Sequence, residues 1–187
     1  MEQANIMSKT IEDFRNFFQN DKEKVKFNLK DLIIQDIELV KSSYSSENIQ
    51  IQIENVLEDI TLFGYKNELI QAILNILNNS KDQFIQLNTE PKVIKIVTQI
   101  QDNFVNIYIQ DNAGGIDEDI IEKIFEPYFT TKHQSQGTGI GLYMTESIII
   151  NNMKGYIEVS NKEFIVNDKT YQGACFKISI PLITEIE

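Results

Sequence analysis

The chain of 187 residues is acidic, with a formal net charge of -11 at pH 7. Its length allows one good hydrophobic core with a small appendage. Because phosphate backbones attract basic surfaces, this charge argues against nucleic acid as the main partner. Cys175 is the only cysteine, which excludes an intrachain disulfide and favours a cytoplasmic setting. No apolar run reaches the roughly 18 residues of a membrane helix, which still allows a membrane-anchored parent protein.

The chain begins with MEQANIMSKT, which lacks the apolar run of a signal peptide. Residues 2–19 are predicted to form a helix with an apolar stripe at heptad spacing. The stripe consists of Met7, Ile11, Phe14 and Phe18. It packs either on its own domain or in a helical hairpin or dimer bundle, and in the second case a homodimer through this helix is expected.

Hydrophobic periodicity predicts short strands alternating with helices along the rest of the chain. The expected strands cover residues 24–29, 48–54, 61–63, 93–100, 104–109, 155–160 and 174–180. The expected helices cover 31–42, 67–87 with Asn67 as its cap, 117–125 and 140–151. Residues 126–136 are predicted to form a mobile loop and 162–171 a hairpin-like excursion. This order predicts an α+β fold, a two-layer sandwich with a mixed sheet and helices on one face.

The long predicted helix carries a polar stripe opposite its apolar face. Asn75, Asn79 and Asp82 are four and three positions apart, so they share one side of the helix. Such a stripe is usually the solvated face of an amphipathic helix. Asparagine is mildly unfavourable inside helices, however, and its amide oxygen can bind a hard cation without adding negative charge near a triphosphate. Both interpretations stay open on the helix alone.

Asp111 ends a predicted strand and is followed by Asn-Ala-Gly-Gly. A carboxylate at this place can accept a hydrogen bond from the exocyclic amine of a purine. Gly114 and Gly115 allow positive φ angles and a close approach of the backbone to a base. The same residues also fit an ordinary β-turn after a strand.

Gly137, Gly139 and Gly141 precede a predicted helix, where glycines let a phosphate approach exposed N–H groups. One glycine motif is a weak signal, and this one lacks the Lys-Ser/Thr ending of a Walker loop. The preceding FEPYFTTK, residues 125–132, supplies hydroxyls and a cation. This segment is either a lid that closes over a nucleotide or a surface loop pinned by its aromatic residues.

Together and in this order, the motifs resemble those of sensor histidine kinases of two-component systems. ILNILNNSKD resembles their N box, DNAGGI the G1 box, FEPYFTTK the F box and GTGIGL the G2 box, while GACF is a weaker match to the G3 box. The resemblance implies an ATP-binding catalytic domain with the Bergerat fold of the GHKL superfamily over residues 21–187. Residues 1–20 resemble the C-terminal part of the dimerisation and phosphotransfer hairpin.

The resemblance also implies roles for individual residues. Asn79 is expected to bind Mg²⁺, which bridges the ATP phosphates, and Asp111 to bind adenine N6. Asn75 and Lys132 are the expected catalytic residues, and both are also expected to contact ATP. The other expected ATP-binding residues are Lys81, Asp82, Ala113, Gly115, Ile116, Phe129, Thr130, Thr131, Gly137, Thr138, Gly139, Ile140, Gly141 and Leu142.

The departures from the family pattern define the expected reaction. The family phosphorylates a histidine on its first dimerisation helix, but the one histidine here, His133, lies in the predicted lid. The resemblance therefore implies transfer of the ATP γ-phosphoryl group to a separate histidine-bearing dimerisation domain of the parent kinase, with a response regulator downstream. Gyrase and the heat-shock chaperones have a glutamate at the position of Asn75, and a carboxamide cannot act as a base, so little hydrolysis is expected. The alternatives are a hydrolysing ATPase of this fold and a non-catalytic nucleotide-binding switch.

Overall fold

The computed structural model describes residues 23–56, 59–132 and 137–182. The strands are β1 (Val25–Asn28), β2 (Ile49–Glu54), β3 (Thr61–Gly64), β4 (Lys92–Gln101), β5 (Phe104–Asp111), β6 (Tyr156–Val166) and β7 (Lys169–Pro181). The helices are α1 (Leu29–Ser45), α2 (Lys66–Leu87) and α3 (Gly141–Ser147), and α3 continues into a π-helical turn, Ile148–Asn152.

Five strands form a mixed sheet in the order β2-β4-β5-β7-β6. The pair β2 and β4 is parallel and the other neighbours are antiparallel, while β1 and β3 form a separate antiparallel pair. Ile96, Ile109 and Phe176 are register neighbours on three adjacent strands and belong to the main core cluster. These features confirm the predicted α+β fold.

The helix α2 supplies much of the other half of the core. Its residues that are at most 1% exposed include Leu69, Ile73, Ile76, Leu77 and Phe84. Burial of each such side chain stabilises the fold by about 1.5–3 kcal/mol. The apolar face of this helix therefore packs toward the sheet, and its polar stripe is left on the opposite side.

The predicted cap of α2 is wrong. Asn67 lies inside the helix, which begins at Lys66 after Tyr65 and has no side-chain cap at Tyr65. The amide of Leu69 donates to the Tyr65 carbonyl at 3.1 Å, so a backbone hydrogen bond closes the first turn, and Leu69 itself is buried. At the other end, Asn88 adopts a left-handed conformation (φ 50°) and ends the helix.

Two other predicted helices differ from the structure. Residues 117–125 form successive turns, in which Ile120 donates to Asp117 and Lys123 to Ile120, each three residues back. The α-helical part of 140–151 ends at Ser147, where the π-helical turn begins. The hairpin predicted for 162–171 is present, and its strands are continuous with β6 and β7.

The predicted N-terminal helix, with its Phe14 and Phe18 stripe, lies outside the described residues, as does His133. The proposed boundary between residues 1–20 and 21–187 lies there too. Within the described part of the chain, none of the helices combines the length and apolar character needed to cross a membrane.

Candidate functional site

A cavity of about 590 Å³ lies between α2, the loop after β5, the segment 129–132 and the glycine-rich turn 137–142. Its volume falls within the range of small-molecule sites. Asn75, Asn79 and Asp82 all line it. The polar stripe of α2 therefore faces a cavity rather than only bulk solvent.

The carboxylate of Asp111 is held in a fixed orientation in the wall of this cavity. Its Oδ1 accepts hydrogen bonds from the amides of Ala113 (3.0 Å) and Ala174 (3.1 Å), and its Oδ2 accepts one from the Ser80 hydroxyl (2.7 Å). The side chain is only 4% exposed, and burial raises the pKa of Asp111 against the opposing effect of these hydrogen bonds. Since a carboxylate has about four acceptor positions, one remains for a donor in the cavity.

A cation lies in another part of the wall, beside Asn79 and Asp82. The Lys132 ammonium donates to Asn79 Oδ1 at 3.0 Å and to Asp82 Oδ2 at 2.6 Å. Among residues 23–56, 59–132 and 137–182, no cluster of three or more His, Cys, Asp or Glu side chains could hold a metal by itself. A divalent cation at Asn79 would therefore take most of its oxygen ligands from phosphate and water.

Asn75 links α2 to α3. Its Nδ2 donates to the Gly141 carbonyl (3.1 Å) and to the Thr145 hydroxyl oxygen (3.3 Å). Thr145 is fully buried and donates in turn to the Gly141 carbonyl at 3.0 Å. The side chain of Asn75 thus positions the start of the helix that follows the glycine-rich turn, a contact that sequence reasoning missed.

The glycine-rich turn and the predicted lid pack as one unit at Gly139. A Cβ on Gly139 would clash with the carbonyl carbon of Tyr128, and the residue has φ +66°. The amide of Tyr128 donates to the Gly139 carbonyl at 2.9 Å. Glycine is required here by both the backbone conformation and the close approach.

Most of the predicted ATP-binding residues meet in the cavity wall. Those that line it are Asn75, Asn79, Lys81, Asp82, Asp111, Gly115, Ile116, Phe129, Thr130, Thr131, Lys132, Gly137, Thr138, Gly139, Gly141 and Leu142. Ala113 and Ile140 do not line it, and their side chains are 0% and 2% exposed. The amide of Ala113 nevertheless contributes by holding Asp111.

Further wall residues were absent from the predicted set. They are Gln71, Asn78, Ser80, Gln83, Asp117, Ile120, Ile124, Met144, Ala174 and Phe176. Ser80 directly follows Asn79, so a polar residue there was a signal that could have found it. Ile120 and Ile124 were assigned to a helix, and the turns that replace it bring them to the cavity.

A family model described as "Histidine kinase-, DNA gyrase B-, and HSP90-like ATPase" matches residues 64–184. The chain is 29% identical to the two-component sensor PprA of Pseudomonas aeruginosa over 142 residues, or 74% of this chain and 14% of PprA. It is also 29% identical to sporulation kinase A of Bacillus subtilis over 163 residues, or 87% of this chain and 25% of the kinase. The chain therefore spans a quarter or less of these relatives.

Solved structures show the same architecture. The catalytic domain of the histidine kinase ThkA aligns with a TM-score of 0.71 and 29% identity, covering 86% of this chain and 96% of that one. ThkA in complex with the response regulator protein TrrA aligns with a TM-score of 0.72 and 24% identity, covering 96% of this chain and 49% of that one. At this lower identity, the second comparison shows the fold alone.

Proposed function

Because the chain belongs to the histidine kinase, DNA gyrase B and HSP90-like ATPase family, as an ATP-binding catalytic domain of the sensor kinase type, we propose that it transfers the γ-phosphoryl group of ATP to a histidine on its parent's dimerisation domain. The supporting observation is the cavity that brings Asn79, Asp111 and Lys132 together. Residues 1–20 are proposed to end the dimerisation hairpin and 21–187 to form the catalytic domain. A response regulator is the proposed downstream partner of the parent kinase.

Asp111 is proposed to recognise adenine. Its free acceptor position would receive the N6 amine, while Gly115 and Ile116 line the wall beside the base. Guanine carries a carbonyl oxygen in place of that amine, so it would place an acceptor against an acceptor. The site therefore favours adenine nucleotides, and the Ser80 hydroxyl supports this choice by orienting the carboxylate.

The residues around Asn79 fit Mg²⁺. The Asn79 amide oxygen already accepts a hydrogen bond from an ammonium cation, and as a neutral ligand it adds no charge that repels phosphate. When bound, Mg²⁺ would neutralise charge on the phosphates. Lys132, whose ammonium lies beside Asn79 and Asp82, would be the cation available to bind a phosphate oxygen.

Positioning is the proposed source of catalysis. Asn75 carries a carboxamide, which is not basic and cannot activate water. Its nitrogen instead donates to Gly141 and Thr145. Lys132 is a cation that can stabilise charge on the transferred group. Phosphoryl transfer needs mainly alignment and charge stabilisation, which this wall can supply to an acceptor histidine on another domain.

The direct test uses phosphotransfer between separate proteins. The chain is mixed with Mg²⁺, ATP labelled at the γ-phosphate and a separately produced dimerisation hairpin of the parent kinase. The expected product is an acid-labile phosphohistidine on the hairpin, which is lost when the hairpin histidine is replaced by alanine. A His133→Ala chain should transfer normally. Release of free phosphate without transfer would support the hydrolysing ATPase, and binding with neither product would support the switch.

The Asn79→Ala variant tests the metal site. Loss of the amide ligand is expected to weaken ATP binding at least about 10-fold in the presence of Mg²⁺ and to have a much smaller effect in EDTA. Calorimetric titration with and without the metal measures both. Asn78→Ala is the matched control, because Asn78 is the exposed neighbour on the same wall. Equal losses with and without Mg²⁺ would exclude Asn79 as a metal ligand.

A further inference from the structure

The loop 112–116 carries residues that face the cavity but belongs to no helix or strand. Its backbone N–H and C=O groups therefore lack the regular partners of a helix or strand, and the loop must be held by other hydrogen bonds. On one side, Asn112 accepts from the Val93 amide at 2.9 Å and donates to the Pro91 carbonyl at 2.7 Å. On the other side, the Gly114 amide donates to the Gln172 carbonyl at 2.9 Å. The loop is held between β4 and the β6–β7 hairpin.

Asn161 on β6 makes a two-point contact with the last residue of this loop. Its Oδ1 accepts from the Ile116 amide at 2.8 Å, and its Nδ2 donates to the Ile116 carbonyl at 2.7 Å. A carboxamide carries a donor and an acceptor in one plane, so it can satisfy both backbone groups of one residue as a neighbouring strand would. The side chain thus takes the place of a strand at this point.

Gly115 completes the contact. A Cβ on Gly115 would lie 2.6 Å from Asn161 Oδ1, and the residue has φ +83°. Glycine is therefore required both for the turn and for the approach of the amide. Asn161 itself is not among the residues that line the cavity, whereas Gly115 and Ile116 are.

The register pair that contains Asn161 also holds Asp111. Asn161 on β6 is the register partner of Ala174 on β7, and the Ala174 amide donates to Asp111 Oδ1 at 3.1 Å. One strand pair therefore sets both the carboxylate that faces the cavity and the backbone of Ile116 beside it. The distance between these parts of the wall depends on the hairpin.

We propose that Asn161 is a positioning residue for nucleotide recognition. It holds Gly115 and Ile116 in the conformation that receives adenine and does not contact the nucleotide itself. This inference rests on the proposed function of the cavity. Without Asn161, the loop populates other conformations, and the apparent affinity falls in proportion to the competent fraction.

The test compares two ligands that share phosphates but not the base. In Asn161→Ala, ADP with Mg²⁺ is expected to bind about 10-fold more weakly, because a competent fraction near one tenth raises the apparent Kd by that factor. Tripolyphosphate with Mg²⁺ should bind as it does to the wild type. Equal weakening of both ligands would show a general structural role and overturn the proposal, as would no change in ADP binding.

Glu163→Ala is the matched control, since Glu163 is an exposed residue two positions along the same strand. Its backbone carbonyl, which accepts from Gln110, is retained in the variant, so ADP affinity should not change. A double-mutant cycle with Gly115→Ala adds a second measurement. The added methyl meets Asn161 in the wild-type background, so Gly115→Ala should cost less ADP affinity in the Asn161→Ala background. If the effects of the two substitutions on ADP affinity were strictly additive, this would contradict a direct contact between Asn161 and Gly115.

Hydrogen exchange of the nucleotide-free protein separates this inference from the proposed function. The Ile116 amide should exchange at least about 10-fold faster in Asn161→Ala, because its acceptor is lost, and at the wild-type rate in Glu163→Ala. An unchanged exchange rate of the Ile116 amide in Asn161→Ala would show that Asn161 does not hold this loop. Failure of the wild type to bind ADP or ATP would instead overturn the proposed function, and with it the role in adenine recognition. Normal wild-type binding with an unaffected Asn161→Ala variant would overturn this inference alone.

Discussion

Replacing Asp111 with asparagine is expected to weaken ATP binding at least about 100-fold while the domain stays folded. The amide oxygen of the new side chain can still accept from Ala113 and Ala174, and the Ser80 hydroxyl can turn to accept from its nitrogen. Toward the cavity, however, the variant presents a donor where the adenine amine is also a donor. The shape of the wall is kept, but the group that faces the adenine amine changes from a hydrogen-bond acceptor to a donor.

Calorimetric titration with ATP measures this loss, and thermal unfolding without nucleotide checks the fold. Ser80→Ala is a useful companion, because it removes one hydrogen bond but keeps the carboxylate. Its loss is expected to stay within about 10-fold, the usual worth of one hydrogen bond. Unchanged ATP affinity in Asp111→Asn would mean that this carboxylate does not bind the base.

The second large effect is expected on stability, from Asp36 in α1. This carboxyl group is 0% exposed, and neither of its oxygens has a hydrogen-bond partner among the described residues. Burial raises the pKa of Asp36 from its ordinary value of 3.8 to about 8, with Lys66 acting in the opposite direction. The folded domain therefore carries Asp36 in its neutral form at pH 7, whereas the unfolded chain carries it ionised.

The sign of the pH dependence follows from this difference. Between the unfolded value of 3.8 and the folded value of about 8, the folded state binds one more proton at Asp36 than the unfolded state. Stability is therefore lost as pH rises through this window and stays low above it. The total is on the order of 6 kcal/mol at about 1.4 kcal/mol for each pH unit, a large share of the stability of a small domain.

Asp36→Asn should remove this contribution and make unfolding free energies less dependent on pH. Urea unfolding from about pH 5 to about pH 9 measures the change, and the variant should gain most at the alkaline end. Asp31→Asn is the control, because it removes the same charge from an exposed position of the same helix. Parallel pH profiles for the wild type and Asp36→Asn would show that Asp36 does not titrate in this range.

Local sequence patterns were enough to predict some elements, whereas tertiary packing decided others. Alternating apolar residues determined the strands β2, β4 and β5, because side chains on a strand point to opposite faces. The apolar stripe of α2 likewise determined its buried face. The motifs around Asp111 and Gly139 could be read directly, since they depend on neighbouring residues.

Predictions were less accurate for segments whose apolar spacing fits more than one conformation, such as a helix or a series of turns. Residues 117–125 contain apolar residues at helical spacing, yet they form turns that direct Ile120 and Ile124 into the cavity wall. Asn67 has the right chemistry for a cap, but it lies inside the helix, which begins at Lys66. In residues 117–125, tertiary packing overrides the local helical preference.

The sequence by itself determined most of the elements in their order, the family motifs and most of the residues at the candidate nucleotide site, because these depend on local spacing. Only the tertiary structure decided that Ser80 holds Asp111 across 31 positions and that Asn161 holds Ile116 across 45. Side-chain pairs so far apart leave no periodic signal in a single chain. These pairs depend on the register of the strands and the direction of α2, and packing of the whole core determines both.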